Sequence, residues 1–330
     1  MFKNLRWMVF VLFLFAISLS ACGSDELEFE REDNAIQITF DAPMSSQNPV
    51  FSPDGEYILY TRFVDGYNVG ASELVKVRIE DGAQEILVPA GEFNHVNVPY
   101  GAWVGNQVCF ASDRGGESDE IWIMNDDGSN LRQLTFHSED DEVYFIEPVF
   151  NPQDRNWIAF EYVKGEDDAT ATHRIALLDV VRGEITLLTD GSFDDRLPSW
   201  GADGQRILFQ RNEYGEDEGW EIYIADIDVD AEEILTDLHS ISNGISDDTD
   251  CSWSYDNEHI FSSSNYGGLD TPNIYRFSLD PEETPERITF NDLNEEGTAS
   301  QSRDGNWLAF ESHFGDEEDI PSEIWLIELR

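Results

Sequence analysis

Six aromatic residues, Tyr60, Phe110, Phe160, Phe209, Phe261 and Phe310, recur along this chain at steps of 50, 50, 49, 52 and 49 residues, each in a strand-like segment. So regular a period marks an internal repeat whose units bury a core only by packing against their neighbours. The same order returns around each aromatic. A turn-flanked segment such as Pro49-Val50-Phe51-Ser52-Pro53-Asp54-Gly55 leads into a hydrophobic strand expected to end on the aromatic, then a polar loop, another strand and a closing Leu-Thr-like strand. Four strands per unit make a propeller blade.

The second unit shows the pattern most completely, from Trp103 to Phe136. First strands carry Phe51, Trp103, Phe150, Trp200 and Trp253, with Gln301 in the last unit; third strands carry Trp122, Tyr223, Tyr275 and Trp325, replaced by Val75 and Ile175 in units one and three. Period-two alternation rich in aromatic and β-branched residues is the strand signal, and no long 3.6-period segment competes after residue 35. The expectation is an all-β, six-bladed propeller of four-stranded blades forming one domain over residues 35–330.

Fourth strands decide how the ring closes. Units one to five end in Ile86-Leu87, Leu134-Thr135, Leu188-Thr189, Leu235-Thr236 and Ile288-Thr289, whereas the sixth stops after its third strand. Gln37-Ile38-Thr39-Phe40 matches Gln133-Leu134-Thr135-Phe136. Residues 35–40 are therefore predicted to pair with the strand around Trp325, since an open edge would leave a row of backbone donors and acceptors unpaired.

The start of the chain reads as an export signal. Lys3 and Arg6 precede an apolar stretch from Trp7 to Ile17, and Leu19-Ser20-Ala21-Cys22 has the form of a bacterial lipobox. The apolar run is too short for a confident span. Residues 1–21 are expected to be a lipoprotein signal, Cys22 the lipidated residue that holds the protein to a membrane of the bacterial envelope, and residues 22–34 an acidic tether. Cys109 and Cys251 fall on blades two and five, across the ring from one another and beyond the roughly 7 Å Cα limit of a disulfide. Both are predicted to be buried free thiols.

Three segments, NPVFSPDGEYILYTR, CFASDRGGESDEIWIMNDDGSNLRQLTF and QSRDGNWLAFESHFGDEEDIPSEIWLIEL, resemble the repeats of the TolB-like β-propeller family. The likeness extends over all six blades. Its Pro-Asp-Gly turns specify the repeat and not an activity, because Gly supplies positive φ and Asp caps the turn. TolB itself is a soluble periplasmic part of the Tol–Pal system with an α/β domain ahead of its propeller. Here the first blade strand is expected a dozen residues after the lipobox, so the resemblance implies a propeller lipoprotein in place of that role.

Chemistry is sparse. His95, His137, His173, His239, His259 and His313 show no short metal-ligand spacing, although His137 and His239 both follow fourth strands. There is no Gly-x-Ser-x-Gly elbow and no hydrolase segment of the prolyl oligopeptidase kind. The oligogalacturonate lyases share this repeat style but depend on a histidine cluster holding a metal, and Lys76 and Lys164 are the only lysines beyond the leader to hold a polyuronate.

The reading is thus a non-catalytic scaffold, monomeric and without a cofactor, that binds envelope proteins or peptides through its loops. Alternatives are a polysaccharide-active enzyme or a Ca²⁺-dependent carbohydrate-binding propeller. Loops joining second to third strands, and each blade to the next, share one face. Candidate contacts there are Arg114, Glu117, Asp119, Asp141, Asp167, Asp168, Asp195, Glu216, Asp217, Asp248, Asp250 and Asp316, with Asp140, Asp141, Asp247 and Asp248 as candidate calcium ligands.

Charge excludes a further class of partner. Beyond the leader, 17 Lys and Arg face 69 Asp and Glu. Phosphate binding requires a basic footprint, so nucleic acid is not expected. Self-repulsion on this scale predicts stability that rises with salt, which fits adaptation to a saline setting better than dedicated cation loops.

Overall fold

Strands Ser45–Phe51, Tyr57–Phe63, Ser72–Arg78 and Gln84–Val88 form the first of six antiparallel sheets, with the strand nearest the axis written first. The computed structural model describes residues 31 and 33–329, except 92–94, 100, 117, 138–141, 166–169, 213–218, 243, 245 and 315–319. Blade three runs Val143–Phe150, Trp157–Lys164, Thr172–Asp179 and Glu184–Leu187; blade four Asp194–Trp200, Arg206–Asn212, Glu221–Ile227 and Leu235–Ser240. Blade five runs Asp248–Trp253, His259–Ser264, Asn273–Ser278 and Glu286–Arg287. In blade two the inner strand is split into Val96–Asn97 and Trp103–Val104, both paired with Gln107–Ser112, followed by Glu120–Asn125 and Arg132–Gln133. No helix occurs among the described residues. The expected all-β, six-bladed propeller is what the chain forms.

Closure follows the sequence reading. Asn294–Gln301, Trp307–Phe314 and Glu323–Glu328 make three strands of blade six, and the fourth comes from the other end of the chain, with Ile36 opposite Leu326 and Gln37 opposite Trp325. Thr39 continues the joint: its hydroxyl accepts from Ile324 N–H at 2.8 Å and donates to Glu323 Oε2 at 2.5 Å. The repeated threonine has this one job. Thr135, Thr189 and Thr289 accept in the same way from Ile121, Ile175 and Ile274, at 2.9, 3.0 and 2.9 Å. In blade four the role falls to Ser242, which accepts from Ile222 N–H at 2.9 Å, and not to Thr236 of the closing segment. There the fourth strand runs on to Ser240, so the capping position comes later.

With Phe150, the repeat aromatics are the largest fully buried side chains among the described residues, all under 2% exposed. Burying each stabilises by about 1.5–3 kcal/mol over leaving it in water. The strands nonetheless continue beyond them, as Tyr57–Phe63 does past Tyr60, because the residues that follow still pair with the inner strand. Blade five departs from the periodicity. Its register places Ile260 opposite Trp253, so Ser262 holds the position of Tyr60, and Phe261 stands one residue early on the opposite face. A shift of one residue exchanges faces, and Phe261 accordingly packs in the same core cluster as Phe310 of blade six.

In five of the six blades the inner strand breaks its ladder at an equivalent point, where one residue has a left-handed backbone: Asn48, Glu147, Leu197, Asp250 and Thr298, with φ of 55, 53, 53, 51 and 44°. Non-glycine residues adopt this region at a cost of about 1 kcal/mol or more. A clasp between blades forms at three of these residues and at Val98 of blade two. Asn48 N–H donates to Glu311 Oε2 at 2.9 Å, Val98 N–H to Thr61 Oγ1 at 3.0 Å, Leu197 N–H to Glu161 Oε2 at 3.2 Å and Asp250 N–H to Gln210 Oε1 at 2.9 Å. Each acceptor directly follows a repeat aromatic of the preceding blade.

Cys109 and Cys251 are both free and 0% exposed, as the sequence predicted. Burial pushes both thiols well above their ordinary pKa, which removes the reactive thiolate. Neither is expected to react with a water-soluble maleimide in the native protein, and both should label on unfolding. Native labelling, or a Cys109–Cys251 crosslink found by mass spectrometry, would contradict the blade assignment.

Candidate functional site at the axial mouth

The left-handed residues line the channel where blades meet, and three blades supply acids there. Glu147 comes from blade three and Asp250 from blade five, both on inner strands, while Glu311 of blade six lies one strand out. Asn97 joins them to blade one: its Nδ2 donates to Glu147 Oε1 at 2.7 Å, and its Oδ1 accepts from Asn48 Nδ2 at 2.7 Å. Tyr67 reaches in from the loop after Tyr57–Phe63, its hydroxyl 3.5 Å from Glu311 Oε1 and its ring 4.4 Å from that of His313.

These carboxyls share one electrostatic problem. Burial, and then the charges of Glu161 and Asp250, push Glu147 up to about 8; burial and the Asp250 charge push Glu311 up to about 7; burial and Glu295 push Asp250 up to about 6. Like charges in a low-dielectric mouth oppose one another's ionisation. The Glu311 charge and then burial likewise raise the Tyr67 hydroxyl. No lysine or arginine is among the main influences on the three carboxyls.

The other end of the channel is chemically different. Beside the tight turns lies a cavity of about 80 Å³ lined by Trp103, Phe150, Trp200, Trp253, Tyr255 and Gln301 among others, none of them charged.

Of the described residues among the candidate contacts, the structure brings only Asp250 into this mouth. Asp195 and Asp248 begin inner strands and are not loop residues; Asp195 is 1% exposed with Arg211 Nε 2.6 Å away, and Asp248 is 0% exposed and accepts from Ser264 Oγ at 2.5 Å. Asp119 lies 3.7 Å from His95 Nδ1, Arg114 stacks 5.6 Å over Trp122, and the exposed Asp247 accepts from Trp220 N–H at 2.8 Å. Cys22, Glu117, Asp140, Asp141, Asp167, Asp168, Glu216, Asp217 and Asp316 lie outside the described residues.

His137 and His239 serve their own blades. His137 Nδ1 is 2.7 Å from Glu120, and His239 Nδ1 is 2.6 Å from the Asp237 carbonyl. Asp256, Glu258 and His259 converge within 4.8 Å on a turn of blade five, where Asp256 accepts from Ser254 and from Glu258 N–H as part of the turn itself. Sequence reasoning did not find Glu147, Glu311, Tyr67 or His313. Only closing the ring brings residues so far apart in sequence together.

No family model matches the chain, and no curated protein matches it. Solved structures do. A protein described as TolB from Agrobacterium tumefaciens has a TM-score of 0.57 at 15% identity, covering 88% of this chain and 92% of that one. A gluconolactonase from Xanthomonas campestris gives 0.60 at 14%, covering 91% of each, and an oligogalacturonate lyase from Vibrio parahaemolyticus gives 0.55 at 12%, covering 89% and 83%. A puromycin hydrolase gives 0.57 at 16% over 87% of this chain, which spans 47% of the hydrolase. Identities this low establish a shared propeller fold, and that fold hosts unrelated activities.

Proposed function

We propose that this protein is a non-catalytic, envelope-anchored propeller lipoprotein that binds a protein or peptide on its loop face, centred on the axial mouth. The observation that carries the reading is the group of half-buried Glu147 and Asp250 with buried Glu311, acids at the loop end with no basic side chain among their main influences. A partner presenting lysine or arginine supplies the missing charge, and complementary fields speed such encounters. The lipid at Cys22 would keep the face at the membrane, where partners are concentrated.

The test is crosslinking in the native envelope followed by affinity capture, with wild type beside Glu216→Lys/Asp217→Lys and Glu147→Gln/Asp250→Asn variants. Captured proteins carrying basic segments are expected to fall away in at least one variant and to return at low salt. An unchanged set of partners in both, or turnover of an acidic polysaccharide by the purified protein, would overturn the reading.

A further inference from the structure

Four residues form a hydrogen-bonded belt along the axial mouth. Glu147 Oε1 of blade three accepts from Asn97 Nδ2 of blade two at 2.7 Å, Asn97 Oδ1 accepts from Asn48 Nδ2 of blade one at 2.7 Å, and Asn48 N–H donates to Glu311 Oε2 of blade six at 2.9 Å. Thr61 Oγ1 ties Asn97 to blade one a second time, at 3.0 Å. The belt thus joins carboxyls from opposite sides of the ring and includes the clasp between blades six and one. Around Glu147 stand the charges of Glu161, Asp250 and Asp119, and Glu161 is paired with His173 Nδ1 at 2.7 Å. Around Glu311 stand Asp250, Thr298 and Tyr67, with Glu295 and His313 beside Tyr67. Asn97 and the Asn48 N–H can donate to a neutral carboxyl as well as to an ionised one, so the belt persists in either state and ionisation adds repulsion.

We infer that this belt is a pH-sensitive latch on the ring: it holds the blades most firmly when Glu147 and Glu311 are protonated, and their ionisation loosens the joint between blades six and one. The sign follows from burial and crowding. Burial first, and then neighbouring carboxylates, raise Glu147 from 4.5 to about 8 and Glu311 from 4.5 to about 7. A carboxyl raised on folding keeps its proton in the folded chain where the unfolded chain has already lost it. Its contribution is therefore complete below 4.5 and is lost as pH rises through the folded value. The latch stands whether or not a protein docks on the face.

The experiment compares melting at about pH 5 and about pH 9, at matched ionic strength, for wild type, Glu147→Gln, Glu311→Gln and the double variant. Glutamine has the shape of the protonated acid and keeps the acceptor for Asn97 and Asn48. Glu184→Gln/Glu233→Gln, on exposed residues, controls for the change in net charge. The double variant is expected to melt close to wild type at the lower pH and several degrees above it at the higher, with each single variant in between and the control parallel to wild type. Acid titration of the folded proteins across the same range should show wild type taking up about two more protons than the double variant. A gap between wild type and double variant that does not widen with pH, a control that gains as much at high pH, or equal proton uptake would overturn the latch.

Discussion

Removing residues 23–42 will take the closing strand out of blade six and lower the melting temperature by well over 10 °C, if the shortened chain folds at all. The deletion strips the outer partner from Glu323–Glu328, exposes that edge, and removes the Thr39 hydroxyl that Ile324 N–H and Glu323 both use. It also removes Asp41, a buried junction of polar contacts. Deleting residues 23–30 alone should leave melting within about 2 °C, because a short polar segment of this composition contributes no core. Circular dichroism melts of the two deletions provide the comparison, and equal values would mean that the ring does not depend on its N-terminal strand.

The second large effect concerns Asp41 itself. Its Oδ2 accepts from Tyr60 at 2.7 Å and Ser46 at 2.8 Å, and its Oδ1 from Arg62 and Gln84, both at 3.1 Å; the residue is 7% exposed. Asp41→Ala leaves the Tyr60 hydroxyl unpaired in the core and Arg62 with Glu73 as its remaining anion. Breaking a buried ionic contact from one side costs about 3–5 kcal/mol, a fall of roughly 5–10 °C for a domain of this size. Asp41→Asn should cost less.

Acidity separates the two variants. Burial alone would raise the Asp41 carboxyl, but the hydrogen bonds from Tyr60, Gln84 and Ser46, together with the Arg62 charge, hold it below its ordinary 3.8. A lowered carboxylate stabilises above its unfolded value and loses that contribution as pH falls through its folded one. Wild type should therefore exceed Asp41→Asn at neutral pH and converge on it as pH falls below 3.8. A gap that persists into stronger acid would assign the effect to packing.

The fold was legible because its signals are local and repeated. Aromatic spacing, Asp-Gly turns and the match between Gln37-Ile38-Thr39 and the other closing segments each sit within a few residues of one another. Blade five shows the limit of such counting. Phe261 keeps the period to within two residues yet lies on the wrong face, because register is set by pairing with Trp253 and not by composition. The left-handed turns at Leu197 and Thr298 carried no signal either, since neither residue favours that backbone. The axial site was hidden for another reason. Glu147, Asp250 and Glu311 are three acids among 69, and their significance comes from burial and proximity across blades, which no spacing along the chain encodes.

The clasps bear on how such a ring tolerates drift. The donor at four of the six joints is a peptide N–H, which mutation to anything but proline leaves in place, and the acceptor is Thr61, Glu161, Gln210 or Glu311 as the blade dictates. Hydroxyl, carboxylate and amide are interchangeable there because the geometry asks for one oxygen lone pair. What this chain inherits from blade to blade is thus a place for an oxygen more than a residue. Copies of a blade could diverge almost completely in sequence and still lock to their neighbours, while a carboxylate kept for locking stands ready, at the axis, to be used for something else.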